Sequence, residues 1–234
     1  KGKGEISLPL DAYSRNTEVA ASRSSWTDSN MLYLAYKGGF ANQSHGHLDN
    51  GSFVLDLNGV RWANDWGSDD YNLQGYGSWA PAQIYLKRAE AHNTLVINPA
   101  QDTNDQDPNA VTKIVRHEQK DTGSIGVVDL TPAYPEDVKS ARRGFKVEDY
   151  RNSVVVRDEL ELTTPNSEIY WFLQTPIEDP DKIEINGKTA VLTALNGSKL
   201  FLEFQTNAAK SEMVVMDSVP LPTSPNPQGQ KAIK

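Results

Sequence analysis

Apolar and polar positions along this 234-residue chain alternate over short stretches, without sustained helical periodicity. Met31 to Tyr36, Ser52 to Leu57, Thr94 to Ile97, Ser153 to Val156, Glu168 to Leu173 and Leu200 to Phe204 are short and rich in β-branched or aromatic residues, the composition of half-buried strands. Asn58-Gly59, Asn186-Gly187 and Asn196-Gly197 lie between such runs. Asn-Gly suits the type I′ turn, in which both central residues take positive φ. A short helix is expected around Ala80 to Lys87. Many short strands with turn signals between them predict an all-β fold, an antiparallel β-sandwich built from hairpins. The sandwich is expected to fill residues 1–216. Residues 217–234 carry four prolines and no strand pattern, and are expected as an extended tail or linker. The polar, turn-rich stretch 98–109 is expected as a surface loop.

The first Asn-Gly turn makes a specific prediction. If the turn has two residues, Leu57 faces Val60, Asp56 faces Arg61 as a cross-strand ion pair, and Ser52 faces Asp65. Asp65 then returns to the start of the first strand, near where the chain leaves Ser44-His45-Gly46-His47. One carboxylate and one imidazole meet there. A third histidine, His92 in Arg88-Ala89-Glu90-Ala91-His92-Asn93, sits at the entrance to a strand. Two His and one Asp suit zinc, with a fourth position left for water or another ligand, although sequence does not place His92 beside the other two. A polar loop entering a strand, and an Asp closing one, explain the same residues without a metal. His117 has no such company and reads as a surface strand residue. Trp62, Trp66, Tyr71, Tyr76 and Trp79 form an aromatic cluster. Trp62 reads as core, while Tyr71 is balanced between lining a cleft and supporting the fold. Arg142 and Arg143, with Lys139 and Lys146, either attract a polyanion or form a solvated face.

Composition narrows the classes. The net charge of -8 sets nucleic-acid binding aside and mildly disfavours a polyanionic ligand, although a cleft's local field matters more. The absence of cysteine excludes disulfides and thiolate metal sites. No apolar run reaches the ~20 residues of a membrane helix. Nothing resembles a signal peptide, and the first residue is Lys1, so a processed or excised chain is expected.

Taken in order, Ser44-His45-Gly46-His47-Leu48-Asp49-Asn50-Gly51-Ser52-Phe53, Asn58 to Asp65, and Arg88 to Asn93 resemble the heparinase II/III-like family, which includes lyases for heparin, heparan sulfate and alginate. The similarity runs from about Ser7 to at least Leu173 and takes in Arg23-Ser24, Asp149-Tyr150-Arg151 and Tyr170-Trp171-Phe172. The resemblance implies that His47, Asp65 and His92 bind zinc and that His45 is catalytic. Tyr71, Arg88 and Asn93 are expected to contact substrate. The implied reaction is β-elimination at a uronic acid in an acidic polysaccharide. Zinc would organise the loop that holds His45 rather than act as a Lewis acid. The implied partner is an upstream α/α toroid that supplies a catalytic Tyr and another His. These 234 residues hold no such domain, so the chain is expected to be an incomplete enzyme. The resemblance also implies a periplasmic or secreted location. The chain's acidity slightly favours a carboxylate-only substrate such as alginate. Two other readings share the residues: a non-catalytic sugar-binding or structural module stabilised by metal, and a metal-assisted hydrolase.

Overall fold

A computed structural model describes residues 8–74, 76, 84–100 and 104–224 of the chain. Two five-stranded sheets form its body. The first runs in the order β1 (Asp11–Ser14), β2 (Val19–Arg23), β3 (Tyr33–Lys37), β5 (Phe53–Leu57) and β6 (Val60–Ala63). The second runs β11 (Ser153–Leu162), β10 (Val138–Glu148), β9 (Gly123–Asp129), β8 (Val111–Lys120) and β4 (Gly39–Phe40). A two-stranded ribbon pairs β7 (Leu95–Ile97) with β12 (Ile169–Trp171), and a three-stranded sheet joins β13 (Ile183–Asn186), β14 (Thr189–Thr193) and β15 (Lys199–Glu203). All of these pairings are antiparallel. The chain is an all-β sandwich, as its alternating pattern predicts.

Alternation builds the core. Leu34 and Tyr36 of β3 and Phe53 and Leu55 of β5 point inward, toward Val128 of β9 and Phe145 and Val147 of β10. The rings of Tyr36 and Phe145 stack with centroids 4.3 Å apart, locking one sheet to the other. Each large apolar side chain buried in this way contributes about 1.5–3 kcal/mol. The three-stranded sheet extends the same core through Ala190, Leu192 and Ala194.

The Asn58-Gly59 hairpin has the expected start. Leu57 pairs with Val60 and Asp56 with Arg61, and the Asp56–Arg61 ion pair forms. The next pair is Leu55 with Ala63, so a bulge shifts the register by one residue. The bulge lets consecutive Trp62 and Ala63 both turn inward, as two residues opposing one can. Trp62 is fully buried core and donates its indole N–H to Leu57 O at 2.9 Å.

Asn58 and Gly59 both take positive φ, 54° and 69°. The other two Asn-Gly pairs differ: only Gly187 and Gly197 do so, at 62° and 82°. Asn186 still pairs with Thr189 as the last residue of its strand.

The helix expected over Ala80 to Lys87 is, within the described residues, a single 3-10 turn at Tyr85–Lys87. Residues 80–83 and Trp79 lie outside the described residues. Among those described, no helix is long and apolar enough to cross a membrane.

Two segments expected at the surface are partly buried. Within 98–109, Asp105 and Gln106 are only 5% and 2% exposed. Their side chains satisfy polar groups behind the histidines. In 217–224 the chain is irregular, as expected, but Leu221 packs with Ala41, Leu48, Ala89 and Val96. Residues 101–103 and 225–234 are outside the described set.

Candidate active site

Gly46 allows the His-Gly-His turn. A Cβ there would lie 1.9 Å from Ala41 O and 2.9 Å from Gln43 O, closer than atoms can approach. His45 takes φ 62°, a conformation uncommon outside glycine. The turn sends His45 to the surface and His47 inward. Leu48 N–H donates to Lys87 O at 2.8 Å, tying this turn to the segment that leads to His92. Two consecutive 3-10 turns, Tyr85–Lys87 and Ala89–Ala91, deliver His92 at the entrance to β7.

The three residues proposed from sequence as a metal set come together in a row. His92 Nδ1–H donates to Asp65 Oδ2 at 2.9 Å. On its other edge, Nε2 of His92 lies 3.2 Å from Nδ1 of His47. Asp65 also accepts from Gly67 N–H at 2.8 Å. Burial alone would lower the pKa of His92, but the Asp65 carboxylate outweighs it and the net shift is upward. Burial would raise Asp65, and His92 reverses that to hold it well below the usual range. Burial, with His92 adding to it, pushes His47 down to about 4. His47 is therefore the neutral partner and His92 the one that gains positive charge.

This arrangement bears on zinc in two ways. With Nδ1–H committed to Asp65, the neutral tautomer of His92 presents a lone pair at Nε2. In that tautomer the Nε2 lone pair faces Nδ1 of His47, where a cation would fit in place of the proton of a charged His92, and 3.2 Å is about the separation of two nitrogens on a tetrahedral zinc with ~2.0–2.1 Å bonds. Asp65 lies on the far edge of His92, the place of a carboxylate that orients a metal-binding histidine. Among the described residues, no three such groups close around one point. The two imidazoles fit the ion directly, and Asp65 is one ring away.

His45 and Tyr71 form a second, exposed pair. The Tyr71 hydroxyl lies 3.5 Å from Nδ1 of His45. The loop after Asp65 supplies Tyr71, so one segment carries Asp65 and Tyr71. Tyr71 packs against Tyr76 with ring centroids 4.7 Å apart. Lys87 holds Tyr76 in turn, with Nζ donating to Tyr76 O at 2.7 Å and lying 4.5 Å from the ring.

Arg88 and Asn93, expected to touch substrate, are 1% and 0% exposed. Arg88 pairs with Glu90 and Asp105 in a buried cluster. Asn93 donates to Phe53 O and Asn64 O, both at 2.7 Å, and accepts from Gln174 N–H at 2.5 Å. Their polar groups brace the loop from behind. His117 is remote from the site; its Nδ1 lies 3.4 Å from the Tyr36 hydroxyl.

The model of the heparinase II/III-like C-terminal domain matches residues 20–228. This chain belongs to that family. Among solved structures, it is similar to the heparan sulfate lyase HepC from Pedobacter heparinus, with 19% identity and a TM-score of 0.65 over 86% of this chain and 29% of that one. A heparinase III gives 19% identity and a TM-score of 0.67 over 86% and 30%. The heparinase II/III-like domain therefore spans under a third of the length of these structures. No curated protein matches the chain.

Several supporting residues of this domain escape a reading by motif. Gln174 donates to Glu90 O at 2.9 Å and accepts from Trp66 at 3.0 Å. Gln106 accepts from Asn50 N–H at 3.0 Å and donates to Asn50 O at 2.9 Å. Glu90 accepts from Leu221 N–H and the Ser224 hydroxyl. The bonds of Gln174, Gln106 and Glu90 link segments far apart in sequence, so local spacing gives no signal for them.

Proposed function

We propose that this domain is the zinc-binding β-sandwich part of a polysaccharide lyase that cleaves uronic-acid polysaccharide by β-elimination. The observation that carries the reading is the Asp65–His92–His47 row, with the exposed His45–Tyr71 pair beside it, in a heparinase II/III-like domain. His47 and His92 are assigned as the residues that would bind zinc directly, with Asp65, named in the same set from the sequence, holding His92 in place. The ion would fix the turn that carries His45. In the elimination, the C5 proton leaves to a base, its electrons form the new C4–C5 double bond, and the C4–O bond breaks toward the leaving oxygen, which takes up a proton. An imidazole and a phenol are suited to such proton transfers. His45 handles a proton or the carboxylate charge, and Tyr71 contacts the sugar next to it. Arg88 and Asn93 hold the His92 loop in place.

The substrate is an acidic polysaccharide of the heparan sulfate or alginate type. HepC is a heparan sulfate lyase by name, while the net charge of -8 makes heavy sulfation the less comfortable match. The remainder of the cleft is assigned to a helical toroid domain, and the location to the periplasm or cell exterior. The burial of Arg88 and Asn93, which leaves only Tyr71 of the expected substrate contacts exposed, favours a second reading, a metal-stabilised sugar-binding module without its own turnover.

One assay separates the readings. The chain is fused behind the helical part of a heparinase III and offered heparan sulfate and alginate while ultraviolet absorbance of unsaturated uronate is followed. The lyase reading predicts new absorbance that falls by about 10²-fold or more in His45→Ala. Cleavage without absorbance would indicate a hydrolase. Binding without cleavage would indicate the sugar-binding module.

A further inference from the structure

Arg143 belongs to a run that looks like a solvated basic face, yet its side chain is 0% exposed. Strand alternation explains this. Ala141, Arg143, Phe145 and Val147 face inward along β10, and Arg142 and Lys146 face out. A buried guanidinium needs a counter-ion and acceptors for its N–H groups. Asp158, across the β10–β11 pair, accepts from Nε at 2.7 Å and from Nη2 at 2.9 Å. The indole N–H of Trp171 holds the same carboxylate at 3.0 Å. Nη1 is thereby aimed away from Asp158, and it donates to Gly51 O at 3.0 Å and Asn93 O at 2.9 Å.

These two carbonyls have functional neighbours. Gly51 ends the His-Gly-His segment, and Asn93 directly follows His92. The backbone from Leu48 to Gly51 and from His92 to Thr94 lies outside the strands; backbone bonds such as Leu48 N–H to Lys87 O and Gly51 N–H to Lys37 O hold its ends, but none joins one segment directly to the other. Gly51 takes φ 79°, and a Cβ there would lie 2.8 Å from Leu130 Cδ1, so the carbonyl is presented by a backbone packed tightly against the second sheet. Other bonds join the same segments: Asn93 N–H to Ser52 Oγ at 3.2 Å and Thr94 Oγ1 to Asn50 O at 2.7 Å. Arg143 is the charged member of this set, and it alone among these groups comes from the opposite sheet.

We infer that Arg143 is a positioning residue: by bridging Gly51 O and Asn93 O from the second sheet, it sets the spacing between His47 and His92. The role rests on the proposed site, but the bridge itself needs no metal. Lysine at this position keeps the charge but lacks the planar fork that serves Asp158 and two carbonyls at once. A second buried ion pair supplies the control. Arg151 and Asp11 are each 4% exposed, and Arg151 also donates to Lys120 O and Gly123 O, none of which belongs to the histidine site.

The test compares Arg143→Lys with Arg151→Lys in the 234-residue chain. Three quantities are read: thermal unfolding, the imidazole 15N resonances of His47 and His92 without metal, and the dissociation constant for zinc. Both variants are expected to lose stability. Only Arg143→Lys should move the His47 and His92 resonances, and it should weaken zinc binding by about 10–100-fold. If Arg143→Lys does not fold, Asp158→Asn takes its place, with the same changes in direction and smaller in size. Unchanged histidine resonances in an Arg143→Lys or Asp158→Asn protein that folds would overturn the inference. If the wild-type chain takes up no zinc, the zinc reading fails by itself, and the metal-free resonances still decide the role of Arg143.

Discussion

At residue scale, Gly46 shows how strictly the site depends on backbone shape. Any Cβ there would overlap Ala41 O, so the turn separating His45 from His47 would have to open. Gly46→Ala is expected to keep the sandwich, because the turn lies outside the ladders, and to weaken zinc uptake by about 10-fold or more. Far-ultraviolet circular dichroism with zinc titration checks both parts. Unchanged zinc affinity would mean that the turn does not shape the site. The hairpin brings Asp65 to the site, as the turn predicts, but Asp65 bonds His92 rather than His47, which lies on the opposite edge of the His92 ring. His92 was not placeable from spacing, since its position depends on the remote pairing of β7 with β12. The family resemblance alone points to Arg88 and Asn93 as substrate contacts, and both are buried. Their burial follows from contacts with Asp105, Gln174 and Asn64, which no local pattern reveals.

At the scale of elements, strands with clean apolar alternation could be read directly. β8 and β10 were harder, since charged residues fill their outer faces. In β8 a bulge at Val115 also breaks the period and leaves that residue 56% exposed. The loop over 104–110 illustrates a further difficulty, because a polar segment looks solvated until its partners are known. Asp105 joins Arg88 and Glu90 with two carboxylates on one guanidinium. Burial pushes Asp105 up to about 6 against the pull of Arg88, with Glu90 adding to the rise. An acid whose pKa rises on folding stabilises the fold below its ordinary value of 3.8, and that contribution is lost as pH climbs through about 6. Asparagine cannot titrate. The stability of Asp105→Asn relative to wild type should therefore increase between about pH 4 and 7, on the order of 3 kcal/mol. Urea unfolding across this range measures it, and a pH-independent difference would contradict the assignment.

At the scale of the molecule, the two sheets do more than enclose a core. The first contributes the hairpin that carries Asp65 and flanks the His-Gly-His segment, and the second supplies Arg143 against the carbonyls beside that segment and His92. The segment up to Ser224 closes the back of the site through Glu90. The four prolines of residues 217–234 suggest a linker, yet Leu221 is only 5% exposed. Composition reports the lack of strand pattern correctly but carries no information about docking. The whole arrangement centres on the proposed zinc site, in which His47 and His92 bind the ion and Asp65 orients His92. The most direct test is the metal content of the purified chain by elemental analysis, in wild type and in His47→Ala. About one zinc per wild-type chain is expected, in line with a single site between His47 and His92, and its loss in the variant. A wild-type chain that stays free of zinc after zinc is supplied, or a His47→Ala chain that keeps it, would contradict the account.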